Sequence, residues 1–278
     1  MRFRTLLTYL LTTGVVAYAQ LACAGVEIDE LLSSVGPALR ATLSGTITKD
    51  TVKQVESMLA QARGRDIWLD LNSNGGDWEA AIAIGRRLRK VSSLAQVPDG
   101  AACSSACVLV LAGAQVRVVS GGGRVGIHRP YSPTNTAVSL EQSQQRFQAL
   151  SNSSRAFLRE MNLPESLFEA MVRVPPERLR VLTSRELQEF GLEGTDPAYS
   201  ETSDSAEANA LGIDKQEYLR RKARTESVCA NLAAQVVAAE ENAAKSGQKV
   251  SKQKNKEVLA VGERWLQCRQ AVMRGERN

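Results

Sequence analysis

Between Val26 and about Asp214 the chain alternates short apolar runs with segments of helical spacing, the pattern of strands and helices in turn. Residues 41–47 predict a short strand, 50–63 a helix with Val52, Val55, Met58 and Leu59 on one face, and 66–71 a buried strand. The run NSNGGD that follows predicts a glycine turn. Residues 78–90 read as a helix, 93–97 as a strand, the stretch from Ser104 or Ser105 to Gly113 as an apolar helix, and 116–119 and 125–128 as strands. Residues 138–161 predict a long polar helix touching the core through Leu140, Phe147, Leu150 and Phe157. A last strand and helix span 180–190, closed by Gly191. No repeat of solenoid period is present, so the expected fold class is α/β, a core of repeated strand-helix units.

Beyond Asp214 the pattern changes to helix alone. Val258, Val261, Trp265, Cys268 and Val272 follow a three-four spacing, and so do Cys229, Leu232, Val236, Ala239 and Ala243. The breaker SGQK at residues 246–249 lies between the two arms, which predicts an antiparallel helical hairpin over 215–278. Cys229 and Cys268 then fall at the same level on the facing seam, placed to form a disulfide; the alternative is two free, buried thiols. The Lys-rich stretch KVSKQKNK beside the turn reads as a solvated face.

The first 24 residues stand apart, with Arg2 and Arg4 ahead of an apolar run over 5–19 and small-residue cleavage sites at AYA and ACA. They read as a secretory signal peptide, because the run is short of the roughly 20 apolar residues a bilayer span needs; a membrane anchor is the alternative. Three parts are therefore expected: 1–24 the signal, 25–214 the α/β domain, and 215–278 the hairpin. Cleavage after Ala24 leaves 33 basic against 30 acidic residues, too small an excess to imply nucleic acid. It also leaves four cysteines in an oxidising compartment, where pairing is the rule. Cys103 and Cys107 are four apart, too distant to bridge within one regular helix, so a bond between them requires Cys103 to sit in a non-helical entry.

The chain has 278 residues and one histidine, His128, in VGIHRP, about two dozen residues after the serines of DGAACSSACVLVLAG. A general base needs an imidazole and a nucleophile a hydroxyl or thiol, so this one histidine limits the chemistry available. The serines stand at the start of an apolar helix, where free N–H groups and the helix dipole favour developing negative charge; serine is also the ordinary residue at a helix start. Gly75 and Gly76 end a strand just before a helix, a place where backbone N–H groups can face an oxyanion unobstructed. With a single histidine and no acidic cluster at ligand spacing, no catalytic metal is expected. The sequence carries no phosphate-binding glycine loop with lysine, so this chain is not expected to use ATP. Separately, acyl-enzyme chemistry requires no cofactor, and no ATPase partner is expected.

In this order the parts resemble the Clp protease proteolytic subunit and the wider Clp and crotonase superfamily over residues 43–192. LSGTITKDTVKQVESMLAQARGRDIWLDLNSNGGD is similar to the family's opening strand, helix and glycine loop, SACVLVLAGAQVRVVSGGGRVGIHRP to its serine helix and histidine strand, and TSRELQEFGLEG to its closing helix. The resemblance implies a serine peptidase in which Ser105 is the nucleophile, His128 the base, and the oxyanion donors are the glycine pair, Gly76 above Gly75, with the Ala106 N–H. It implies peptide or protein substrates and, through the long helix, a homo-oligomer. The signal peptide, cysteines and tail depart from that subunit and resemble periplasmic Clp-like proteins.

One departure touches the chemistry. The family's triad aspartate precedes the closing helix, and here PPERLRVL places Leu179 at the matching position, with Glu177 as the nearest carboxylate. Loss of the orienting acid can cost about 10⁴ in rate without abolishing a site. Two readings stand: a secreted or periplasmic serine hydrolase acting through an acyl-enzyme, or a catalytically impaired module that keeps the scaffold for interaction. Cysteine chemistry by Cys103 or Cys107 is disfavoured by their pairing.

Overall fold

The structure, a computed structural model, describes residues 25–29, 32–33, 36–131, 139–245 and 252–276. The expected signal segment, Val138 and the SGQK turn lie outside these residues. The first half of the fold runs β1 (Gly25–Asp29), β2 (Leu32–Ser33), β3 (Gly36–Ile47), α1 (Lys49–Ala62), β4 (Asp66–Gly76), α2 (Trp78–Leu88), β5 (Ser93–Val97), β6 (Ala102–Ser104), α3 (Cys107–Gly113), β7 (Val116–Val119) and β8 (Arg124–Ile127). It continues through α4 (Leu140–Glu160), α5 (Ser166–Arg173), β9 (Arg180–Val181), α6 (Ser184–Glu189) and β10 (Gly194–Thr195). Four helices close the chain: α7 (Pro197–Ala210), α8 (Lys215–Val228), α9 (Ala230–Lys245) and α10 (Lys252–Met273).

β4 organises the sheet. It pairs in parallel with β3 along nearly its whole length, its first half pairs with β5, and Ser73 near its end pairs with Cys103 of β6. The sheet therefore forks: β5, β7 and β10 continue one branch, and β6, β8 and β9 the other. Alternation explains the burial, since Ile67, Leu69 and Leu71 point to the core while Arg40 stacks on Trp68 and pairs with Asp70 on the opposite face. α3 is buried along its entire length and crosses α2 backbone to backbone; a Cβ on Gly113 would lie 2.2 Å from the Gly85 Cα. Trp78 donates to the Ser154 hydroxyl at 2.9 Å and ties α2 to α4.

Several elements differ from the sequence reading for identifiable reasons. The NSNGGD run is not a free turn: β3 follows it past a bulge between Ser44 and Thr46 and pairs Thr46 with Gly75 and Ile47 with Gly76. The serine helix begins at Cys107, not at Ser104 or Ser105, because Ser104 belongs to β6. β1, α5 and α7 are elements the apolar pattern did not announce, and α8 is a helix of its own ahead of the first expected arm. α7 also joins the C-terminal helices, since Ala208 packs with Tyr218 and Met273 in a second, smaller core, so that core draws on more than the expected 215–278 hairpin. Cys229 and Cys268 are bonded, their Cα atoms 6.1 Å apart, and join the start of α9 to α10.

The two helical regions meet the sheet at a buried charge cluster. Arg117 on β7 donates to the carbonyls of Ala112, Gly191 and Met161, which end α3, α6 and α4. Asp196, the cap of α7, lies 2.9 Å from Arg89 and 3.8 Å from Arg117 and accepts from Asn162. Burial pushes the Arg117 guanidinium down to about 10. Removing one partner of such a cluster leaves buried charge and carbonyls uncompensated, which costs about 3–5 kcal/mol. Arg117→Ala should lose stability of that order in urea denaturation, and a loss under about 1 kcal/mol would show that packing alone holds these helix ends.

Candidate active site

The fork in the sheet brings the candidate residues together. β6 and β8 are adjacent parallel strands, with Cys103 opposite Val125 and Ser104 opposite Gly126. Ser105 follows the end of β6 and His128 the end of β8, so both leave the same edge of the sheet at the carboxyl ends of neighbouring strands.

Ser105 has a left-handed backbone, φ 57°. A non-glycine residue in this region is strained, and the surroundings hold it there. Its N–H donates to the Gly126 carbonyl at 2.9 Å, and its own carbonyl accepts from Val108 at 3.1 Å. Cys103 and Cys107 are bonded across the turn, their Cα atoms 5.2 Å apart and both side chains fully buried. Cys103 lies in β6, which satisfies the requirement for a non-helical entry. Ser104 is buried whereas Ser105 is half-buried, so the turn presents the second serine. The N–H groups of Ala106 and Cys107 have no protein acceptor among the described residues, as expected for the opening of a helix.

The glycine pair lies across from this turn. A Cβ on Gly75 would meet the Ser105 Cβ at 2.7 Å and the Ala106 nitrogen at 2.9 Å, so only glycine keeps that space open. The Gly75 N–H is already given to the Ser73 hydroxyl at 3.1 Å. Gly76 faces the other way on its Cβ side, against the backbone of Ile47. What Gly75 supplies is therefore room beside the serine, a distinction that spacing alone could not make.

His128 is half-buried, its ring 5.8 Å from that of Tyr131, and its Nδ1 lies 2.9 Å from the Arg129 carbonyl. No hydrogen bond joins His128 to Ser105 among the described residues; the two are neighbours by strand order. Glu177 does not reach the imidazole either. It sits exposed in the turn closed by Arg178 N–H on the Pro175 carbonyl, and its carboxylate makes no hydrogen bond to His128 among the described residues. Glu186 is committed elsewhere: the Thr183 N–H and the Arg180 guanidinium hold its carboxyl down to about 2 while it caps α6. Among the described residues no group of three or more His, Cys, Asp or Glu side chains is placed to hold a metal ion.

Residues 27–193 match the Clp protease family. This chain belongs to the Clp protease family. It is 30% identical over 158 residues to the ATP-dependent Clp protease proteolytic subunit 1 of Corynebacterium glutamicum, covering 55% of this chain and 74% of that protein. Among solved structures it is similar to a mutant of the 1510-N membrane-bound stomatin-specific protease, at 22% identity and a TM-score of 0.43, over 56% of this chain and 75% of the other. The family match ends before α7, so the four C-terminal helices and the bond between Cys229 and Cys268 are additions to the Clp core.

The bridge around Ser105 is open to direct measurement. Closing a separation of four residues is worth about 2 kcal/mol on a chain-entropy estimate. A Cys103→Ala, Cys107→Ala double variant, with the other disulfide intact, should lose that much in urea denaturation relative to the parent. Unchanged stability would mean that the Gly126 hydrogen bond and the packing of α3 hold the turn unaided.

Proposed function

We propose that this Clp family member is a secreted or periplasmic serine peptidase with Ser105 as nucleophile and His128 as general base. The observation that carries the reading is the left-handed Ser105 turn, which lifts one serine out of a buried strand-helix junction beside the Ala106 N–H, which has no acceptor among the described residues. In the reaction His128 takes the Ser105 hydroxyl proton while Oγ attacks the peptide carbonyl. The carbonyl π electrons move to oxygen, and the Ala106 and Gly76 N–H groups hold that oxyanion. Collapse breaks the C–N bond, the imidazolium gives its proton to the leaving amine, and water releases the acyl group from Ser105 by the same steps in reverse. No metal or cofactor enters.

Two further parts of the proposal rest on other features. The disulfides at Cys103–Cys107 and Cys229–Cys268, with the charged and apolar N-terminal sequence, support an oxidising compartment. The first half of α4 is exposed from Leu140 to Ala149, with Leu140 76% and Phe147 38% accessible, which supports contact with a second copy of the chain along this helix.

A second reading, an interaction module without turnover, is favoured by Leu179 at the acid position and by the lack of a hydrogen bond between Ser105 and His128 among the described residues. One experiment separates the two. A fluorophosphonate probe should label the protein, Ser105→Ala should abolish labelling, and Ser104→Ala should leave most of it. Absence of labelling in the folded parent supports the interaction module, and equal labelling of both variants would mean that Ser105 is not the activated residue.

A further inference from the structure

The antiparallel pairing of β8 with β9 sets Gly126 opposite Val181 and Ile127 opposite Arg180, so His128 and Leu179 are the residues next beyond the paired ends. The Leu179 side chain folds back over the strand: a Cβ on Gly126 would lie 2.8 Å from both the Leu179 Cδ1 and the Ser104 hydroxyl. The residue at the family's acid position is thus a hydrocarbon branch packed on Gly126, with no group that could accept from the imidazole. Among the described residues no carboxylate forms a hydrogen bond or ion pair with His128. The ring still has a partner, the main-chain carbonyl of Arg129 at 2.9 Å from Nδ1.

We propose that the Arg129 carbonyl takes the place of the missing third member of the triad and holds His128 as the Nδ1–H tautomer. The inference rests on the reading of Ser105 and His128 as nucleophile and base. A carbonyl oxygen only accepts, so whenever this bond is made Nδ1 carries the proton and Nε2 carries the lone pair. Nε2 is then the atom able to receive the serine proton, on the side of the ring away from the carbonyl. Without such a partner a neutral imidazole in water favours the opposite tautomer, and a wrong tautomer is what makes loss of the acid so damaging in serine peptidases.

The local chain is built to keep that carbonyl in place. The Arg129 N–H donates to the Val174 carbonyl at 2.8 Å, anchoring the residue to the end of α5. Pro130, itself buried, restricts the residue before it to extended conformations and so fixes where the Arg129 carbonyl points. A neutral acceptor orients the ring but gives the imidazolium less charge stabilisation than a carboxylate. Arg129 therefore acts as a positioning residue through its backbone, and its side chain has no part in the effect.

The single histidine makes the test unambiguous. In the full chain carrying ¹⁵N-labelled histidine, long-range ¹H–¹⁵N spectra of the neutral ring should show a protonated Nδ1 and an unprotonated Nε2. An Nε2–H ring, or two nitrogen shifts averaged between tautomers, would overturn the proposal. Pro130→Ala releases the Arg129 carbonyl and should move the spectrum toward the averaged form; an unchanged Nδ1–H signature in that variant would show that Pro130 does not set the carbonyl. Serine-probe labelling is read on the same samples. An Nδ1–H ring in a protein that does not label Ser105 keeps this inference and defeats the peptidase reading, whereas labelling with an Nε2–H ring does the reverse.

Discussion

A serine forced into the left-handed region at φ 57° costs on the order of 1–2 kcal/mol, and most of what surrounds Ser105 serves to hold it there. The strand before it and the helix after it are buried, the Gly126 carbonyl takes its N–H, and the Cys103–Cys107 bridge closes over it. Gly75 leaves empty the one space into which a side chain would have pushed the turn. The geometry of the site follows from this constraint: a half-buried serine at a buried junction, next to an N–H with no acceptor among the described residues. Family membership accounts for the fold that carries both Ser105 and His128, while the bridge and Leu179 add to and depart from the pattern the sequence resembles.

The remainder of the molecule acts on the site at a distance. Arg117 and Asp196 join the ends of α3, α4 and α6 to the cap of α7, so the helix that follows Ser105 is fixed at its far end by the cluster that docks α7. A buried ion cluster is seldom a large net source of stability, but it specifies one arrangement because any other leaves charge unpaired. Arg180 has a smaller part of the same kind, tying β9 to α6 through Glu186 and so keeping Leu179 over β8.

Much of this was legible in the sequence because the relevant signals are periodic or compositional. The strands at Ser93–Val97 and Val116–Val119 match the expected bounds, and the pairing of Cys229 with Cys268 follows from the spacing of the two apolar seams. The misreadings have tertiary causes. The glycine run extends a strand because β3 supplies a partner, and the serine helix starts late because its first residues are needed for a strained turn that no propensity encodes. Glu177 was the nearest carboxylate in sequence, yet the turn after Pro175 carries it to the surface. The partner the histidine does have is a main-chain carbonyl, which leaves no residue-type signature; the only trace is the proline that fixes it.

The central claim is that the Ser105 turn, the Ala106 and Gly76 N–H groups and His128 form one acyl-transfer site. A crystal structure of the covalent phosphonate adduct tests it most directly. The account predicts phosphorus on the Ser105 Oγ, one phosphonyl oxygen within about 3.1 Å of both the Ala106 and Gly76 nitrogens, and the His128 ring swung to the adduct through Nε2. An adduct on Ser104, or on Ser105 with its oxygen turned to solvent and His128 still remote, would contradict it.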